Sequence, residues 1–168
     1  MTSRRDEPWA DVAPDRRRIM AAIRGRDTKP EMLVRRLLHR LGYRFRVGQR
    51  QFGWRPDVLF SARKKAIFIH GCFWHGHQPC STWRPPKTRS KIWESKLTKN
   101  RERDLRTVAD FDRQGWATLV LWECELRSVD LVTQRLVEFL GPTRCNGHHL
   151  VREANDGGDR DAGQQHDH

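Results

Sequence analysis

Between His70 and Cys80 the chain places three histidines and two cysteines within eleven residues, His70-Gly71-Cys72-Phe73-Trp74-His75-Gly76-His77-Gln78-Pro79-Cys80. Packing alone gives little reason for such a run, whereas soft ligands at these short loop spacings can converge on one ion. Zinc takes four of them in a closed tetrahedral site. Cys72, His77 and Cys80 offer three, and Cys124, just beyond the apolar segment Ala117–Trp122, is the natural fourth. Cys145, with His148 nearby, competes for that place, and the plainer alternative is that these are ordinary buried thiols. Four protein ligands leave no open position, so the expected ion is structural. Structural disulfides are not expected, because Met1–Asp15 has no apolar stretch of the secretory kind.

The remainder of the chain sets the class. Its 168 residues suffice for one domain with a core. Apolar residues make up 36% and charged residues 32%, and no segment approaches the roughly 20 apolar residues of a membrane helix. The expectation is a cytoplasmic, nucleoid-associated protein with no membrane partner. Formal net charge is +12 overall. After position 150 five acidic and two basic residues give −3, so residues 1–150 carry +15. Charge of that size on a small domain points to a polyanion, because counterion release drives phosphate binding.

Along the chain, residues 1–14 are polar and expected to be flexible. A domain is expected over 15–141, and a polar tail without order over 142–168. Asp15–Arg24 reads as a short basic helix with Ile19, Met20 and Ile23 on one side. Thr28-Lys29-Pro30-Glu31 is a helix start, by its capping box and its first-turn proline. Leu33, Val34, Leu37, Leu38 and Leu41 follow at helical spacing, and Gly42 ends the run. Tyr43–Val47 alternates as a half-buried strand, and Gln49–Pro56 reads as a loop. Val58–Phe60 and Ala66–Ile69 flank Arg63-Lys64-Lys65 as a hairpin. A long polar helix is expected over Ser90–Gln114, a buried strand over Ala117–Trp122, and a closing amphipathic helix over Leu131–Leu140. This order predicts a single α/β domain, a mixed central sheet flanked by helices.

With the zinc ligands assigned, His70 and His75 remain free for chemistry. Phosphodiester cleavage needs a carboxylate to hold a hard cation and a base to activate water. Asp57 is the best carboxylate, at a strand entry in Arg55-Pro56-Asp57. The same tripeptide also reads as an ordinary turn into a strand.

Several segments together resemble the very short patch repair (Vsr) DNA mismatch endonucleases. They are Arg26-Asp27-Thr28 with Glu31, Arg55-Pro56-Asp57, Ile67–His75, Lys99-Asn100 with Glu102-Arg103-Asp104, and Trp122-Glu123-Cys124. The likeness covers roughly residues 14–140, and the His-Gly-Cys-Phe-Trp-His run is its most specific part. It implies a restriction-endonuclease-like fold with an added structural zinc. It also implies a monomer that uses Mg2+ to nick duplex DNA 5′ to the mismatched thymine of a T:G mispair, starting repair of deaminated 5-methylcytosine. Carried onto this sequence, Asp57 binds magnesium and Ile69 offers its backbone carbonyl. His75 is the general base, His70 lies near the scissile phosphate, and Glu31 orders water at the cation. Cys72, His77, Cys80 and Cys124 hold Zn2+.

Two departures from the family pattern stand out. Ile69 replaces a hydroxyl residue found in some relatives, which a carbonyl ligand tolerates. Two residues separate His77 from Cys80 where some relatives have one, which loosens the alignment of Cys80. Glu31 also has a competing role in the capping box. Asn100 and Asp104 read as the solvated face of a charged helix and are left out of the catalytic set.

Phe73 and Trp74 lie between a metal ligand and the base, a poor place for core aromatics. Exposed there, they suit insertion into a base stack, which costs least at a mismatch. By the resemblance, Trp93 is a third intercalating residue, and Met20 a wedge from the other groove, although Met20 also reads as helix core. Arg16, Arg17, Arg18, Arg24 and Arg26 are expected on phosphates. Two other functions fit parts of the sequence. A zinc-stabilised, non-catalytic DNA-binding protein leaves Asp57, His70 and His75 without a use. A related nuclease could act on other distorted DNA.

Overall fold

The computed structural model describes residues 26–81, 83, 84, 87 and 89–143. The expected Asp15–Arg24 helix, Met20, Cys145 and His148 lie outside the described residues, as do 1–14 and most of 142–168. Helix α1, Lys29–Arg40, starts as the capping box predicts. Thr28 is extended, and its hydroxyl accepts from the Glu31 N–H at 3.5 Å and donates to Glu31 Oε1 at 2.9 Å. Its apolar side buries Val34, Leu37 and Leu38. Gly42, at φ +82°, takes the left-handed turn that ends the helix.

A three-stranded sheet of order β1-β2-β3 forms the centre. β1 (Val58–Phe60) and β2 (Lys65–His70) are the expected hairpin, closed by a 3-10 turn at Ser61–Arg63 with Lys64 left-handed at φ 50°. β3 (Ala117–Trp122) returns parallel to β2 after the 24-residue helix α2 (Ser90–Arg113), in a register that sets His70 beside Trp122. α3 (Val129–Leu140) closes the fold. The mixed sheet with flanking helices is the expected architecture.

Two expectations need correction. Tyr43–Val47 forms no strand; it touches the sheet through one bridge, Arg46 to Leu59. Its alternation reflects the burial of Tyr43 and the packing of Phe45 on the core, without a continuous ladder. β3 is also less buried than its apolar run suggests. Only Leu121 is fully enclosed, because β3 is a sheet edge among the described residues.

The main core joins α1, the sheet and α3 through Val34, Leu38, Ile67, Leu121 and Leu136. A smaller cluster of Leu59, Ala66, Phe68 and Phe111 lies on the α2 side. The C-terminal end of α3 is held by side chains from elsewhere. Arg63 donates to the Leu140 and Pro142 carbonyls (both 2.8 Å), Lys65 to Phe139 (2.5 Å) and Tyr43 to Gly141 (2.6 Å). These contacts satisfy carbonyls that a helix end leaves without intrahelical partners. Ile67 is wholly buried at the middle of the central strand. Ile67→Ala is expected to cost about 2–5 kcal/mol in urea unfolding, and a loss below about 1 kcal/mol would mean the site collapses around the smaller side chain.

Candidate active site and metal centre

The ends of β2 and β3 build both sites. Beyond the parallel register the Glu123 N–H donates to the His70 carbonyl at 2.9 Å, which brings Cys124 against the loop leaving β2. That loop folds through successive backbone bonds, His75 N–H to Gly71, His77 N–H to Cys72 and Cys80 N–H to His77. Gly76 suits the left-handed turn in it. Its φ is +60°, and a Cβ there would lie 2.5 Å from the Arg101 guanidinium on α2.

The result gathers Cys72, His77, Cys80 and Cys124, whose ligand atoms all lie within 4.8 Å of one another. His77 Nδ1 is 3.7 Å from the Cys72 sulfur and 3.4 Å from that of Cys124, while its ring stacks on Trp122 at 4.0 Å. Three sulfurs and one imidazole at this spacing match what a tetrahedral zinc requires. Burial, together with the neighbouring thiols, pushes Cys72 up to about 12 and raises Cys124. Uncomplexed thiolates are therefore costly here, and a cation would be the natural compensation.

Beside this cluster an open cavity of about 690 Å3 is bordered by Glu31, Asp57, Ile69, His70, His75 and Asp104, among others. Asp57 stands where Pro56, lacking an N–H, cannot extend β1. Its carboxylate accepts the Ile69 N–H at 2.7 Å instead. Along a strand the N–H and C=O of one residue face the same edge, so the Ile69 carbonyl faces the Asp57 side. Burial pushes the Asp57 carboxyl up to about 6, against the Ile69 hydrogen bond, and the Glu31 charge adds to the rise. The donors available are oxygens, the kind a hard divalent cation prefers.

His70 and His75 stack face to face, 3.9 Å apart and 6° from parallel. Burial, with the charge of His75 as a smaller cause, lowers His70 to about 4, so His70 is neutral at neutral pH. His75 Nδ1 lies 2.5 Å from Asp104 Oδ2 on α2. Burial raises Asp104, yet the hydrogen bond and charge of His75 outweigh it, and the carboxyl ends below its usual range. An ionised acceptor at Nδ1 assigns the proton there and leaves Nε2 as the basic nitrogen.

The matching family model is that of the DNA mismatch endonuclease Vsr, over residues 11–81. The type II nicking enzyme V.XorIIP of Xanthomonas oryzae pv. oryzae is 41% identical over 133 residues, 79% of this chain and 97% of that protein. The DNA mismatch endonuclease Vsr of Escherichia coli is 39% identical over 126 residues, 72% and 80% of the two chains. The chain belongs to the Vsr family. It is an endonuclease acting on DNA. Among solved structures, the catalytic domain of the homing endonuclease I-Bth0305I aligns with a TM-score of 0.49 at 21% identity, over 67% of this chain and 93% of that one, a likeness too loose to bear weight.

Within this Vsr chain the other expected residues fall as follows. Phe73 is 37% exposed, while Trp74 and Trp93 are half-buried. The three rings meet edge to face or tilted, with centroids 5.1–6.1 Å apart. Glu31 borders the cavity with its oxygens already engaged by Thr28, the Asp27 N–H at 3.0 Å and Arg35 at 2.9 Å. Capping and cavity positions coincide, so the competition expected from the sequence is real in space. Asn100 and Asp104 are the residues the sequence reading set aside. Asn100 donates to the Trp74 carbonyl at 2.7 Å, and Asp104 pairs with His75. Their four-residue spacing, which puts both on one helix face, was the available signal.

Two measurements probe these sites. Cys124→Ser is expected to lower bound zinc and melting temperature together; unchanged zinc by metal analysis would favour a different fourth ligand. Asp57 has a folded pKa of about 6 against an ordinary 3.8, so its ionisation penalises the fold above pH 6 and not below about 4. Without divalent cations, Asp57→Asn should melt a few degrees above wild type at pH 8 and level with it near pH 4. Equal melting at both pH values would remove the buried charge from Asp57.

Proposed function

We propose that this Vsr-family chain nicks one strand of duplex DNA 5′ to the mismatched thymine of a T:G mispair, using Mg2+, and so starts very short patch repair of deaminated 5-methylcytosine. The observation that carries this reading is the His75–Asp104 pair set beside the half-buried Asp57 carboxylate in one open cavity. A binding module has no use for that pairing. The charge of +15 on residues 1–150 supplies attraction to the duplex.

His75 Nε2 takes a proton from the attacking water as oxygen bonds to phosphorus; one phosphoester bond breaks, and the departing oxygen is protonated from solvent. Asp104 holds the ring in its tautomer and offsets the imidazolium charge as it forms. Neutral His70, stacked beneath, adds no second positive charge and can donate to a phosphate oxygen. The Asp57 carboxylate and the Ile69 carbonyl would hold magnesium, which would supply Lewis-acid stabilisation of the phosphate charge. Glu31, fixed by Arg35 and Thr28, has lone-pair capacity left to orient water.

Phe73, Trp74 and Trp93 form the wedge that enters the stack, with Met20 as its counterpart from the other groove. A T:G pair gives way more cheaply than a matched pair, so the same wedge selects its site. Cys72, His77, Cys80 and Cys124 would hold a zinc that keeps Phe73, Trp74 and His75 on one rigid loop. A single chain carries every residue that this scheme requires, consistent with a monomer.

With magnesium and labelled duplexes, nicking is expected on T:G and not on T:A. Asp104→Asn should lower the single-turnover rate about 10²–10⁴-fold with duplex affinity retained. Tight binding with no nick would support the non-catalytic alternative, and cleavage confined to branched DNA would support a different distorted substrate. A rate within a few-fold of wild type for Asp104→Asn would free His75 from its dependence on that carboxylate.

A further inference from the structure

The cavity has a second aromatic end that the chemistry above does not use. Gln49–Pro56, expected to be a loop, contains a tight reversal. Gln51 and Trp54 exchange both backbone hydrogen bonds (2.8 and 2.9 Å), and the two residues between them, Phe52 and Gly53, have φ of 53° and 82°. Positive φ at both central positions is the mark of a type I′ turn, whose twist suits a rigid hairpin tip. Phe52 anchors the tip edge-on against Phe111 and Trp116, at 5.3 and 5.6 Å.

Trp54 leaves this turn held from two further directions. It packs against the smaller core cluster around Phe68 and Phe111, and its indole N–H donates to Asp110 on α2 at 2.6 Å. Asp110 is itself paired with Arg113. Trp54 is nevertheless only half-buried, and it borders the cavity that holds Asp57, His70 and His75. Arg55, next in sequence, borders the same cavity and is steadied by the Gly48 carbonyl at 3.0–3.1 Å.

Helix α2 serves as a ruler for the arrangement. Asn100 holds the Trp74 backbone, Asp104 holds His75 and Asp110 holds Trp54. At 1.5 Å per residue, the Trp54 anchor lies about 9 Å beyond the His75 anchor, away from the Trp74 end. That is about two or three nucleotides at 3.4 Å each. A fixed, half-buried indole at the edge of the cavity, beside an arginine and a short step from the base, is a ready platform for a nucleobase or deoxyribose. We propose that Trp54 and Arg55 form a second nucleotide subsite on the cleaved strand. In this subsite Trp54 stacks with a nucleotide beyond the scissile bond, on the side away from Phe73, Trp74 and Trp93, and so positions the phosphate against His75. The subsite rests on the nicking function proposed above.

The test is a cycle between protein and DNA, read as single-turnover nicking rates with magnesium. Wild type, Trp54→Ala and Trp54→Phe are compared on an intact T:G duplex and on duplexes with one abasic nucleotide, moved through the first four positions beyond the cleaved bond. On intact DNA, Trp54→Ala is expected to be about 10–100-fold slower, and Trp54→Phe, which keeps a stacking face, within a few-fold of wild type. At one abasic position wild type should fall to the rate of Trp54→Ala, and there the substitution should have little further effect. A purely structural role would slow Trp54→Ala equally on every duplex, and that additive result would overturn the subsite. Should Trp54→Ala fail to fold, wild type still decides, because indifference to an abasic nucleotide at all four positions overturns the proposal. Wild-type nicking of the intact duplex in the same assay tests the underlying function separately.

Discussion

One backbone hydrogen bond ties the two halves of the site together, that from the Glu123 N–H to the His70 carbonyl. It continues the parallel ladder of β2 and β3 one step past the last paired residues, at the point where both strands turn into loops. Without that continuation Cys124 has no reason to approach Cys72 and His77, and Trp122 none to stack on His77. The same step places His70 under His75. The thiol cluster and the imidazole pair are therefore two consequences of one strand register, which the buried side chains of Ile67 and Leu121 hold in place.

Burial acts in opposite ways on the titrating groups around this point. It discourages charge on Asp57, His70 and Cys72 alike, yet the first and third gain if a cation arrives, whereas His70 gains by staying neutral. The face-to-face imidazoles make that division useful. Two protonated rings 3.9 Å apart would repel, and of the two only His75 meets a carboxylate, that of Asp104. The two neighbouring rings thus differ in role because only one of them has a carboxylate partner.

Much of this was legible in the sequence, and the reasons are local. The capping box at Thr28 and Glu31, the hairpin of Val58–Phe60 with Lys65–His70, and the helix ending at Arg113 follow from turn chemistry and period. The proximity of Cys72, His77 and Cys80 follows from loop spacing, and that of Cys124 from its place after a strand. What escaped was long-range. Asn100 and Asp104 look like solvated helix residues until α2 is laid across the His75 loop, and no local pattern announces that crossing. Trp54 was likewise hidden in a segment read as a loop, because Phe-Gly is a less familiar turn pair than Asn-Gly or Asp-Gly. Tyr43–Val47 erred the other way, since alternation reports burial on one side and not whether a neighbouring strand is in reach.

The clasp on the last turn of α3 bears on what that helix depends on. Arg63, Lys65 and Tyr43 take up the carbonyls from Phe139 to Pro142, so among the described residues the helix end is finished from the sheet side. Two of the three donors, Arg63 and Lys65, belong to the turn and strand of the β1–β2 hairpin. A change that reshapes that turn would therefore be felt at the far end of the last helix, more than seventy residues along the chain.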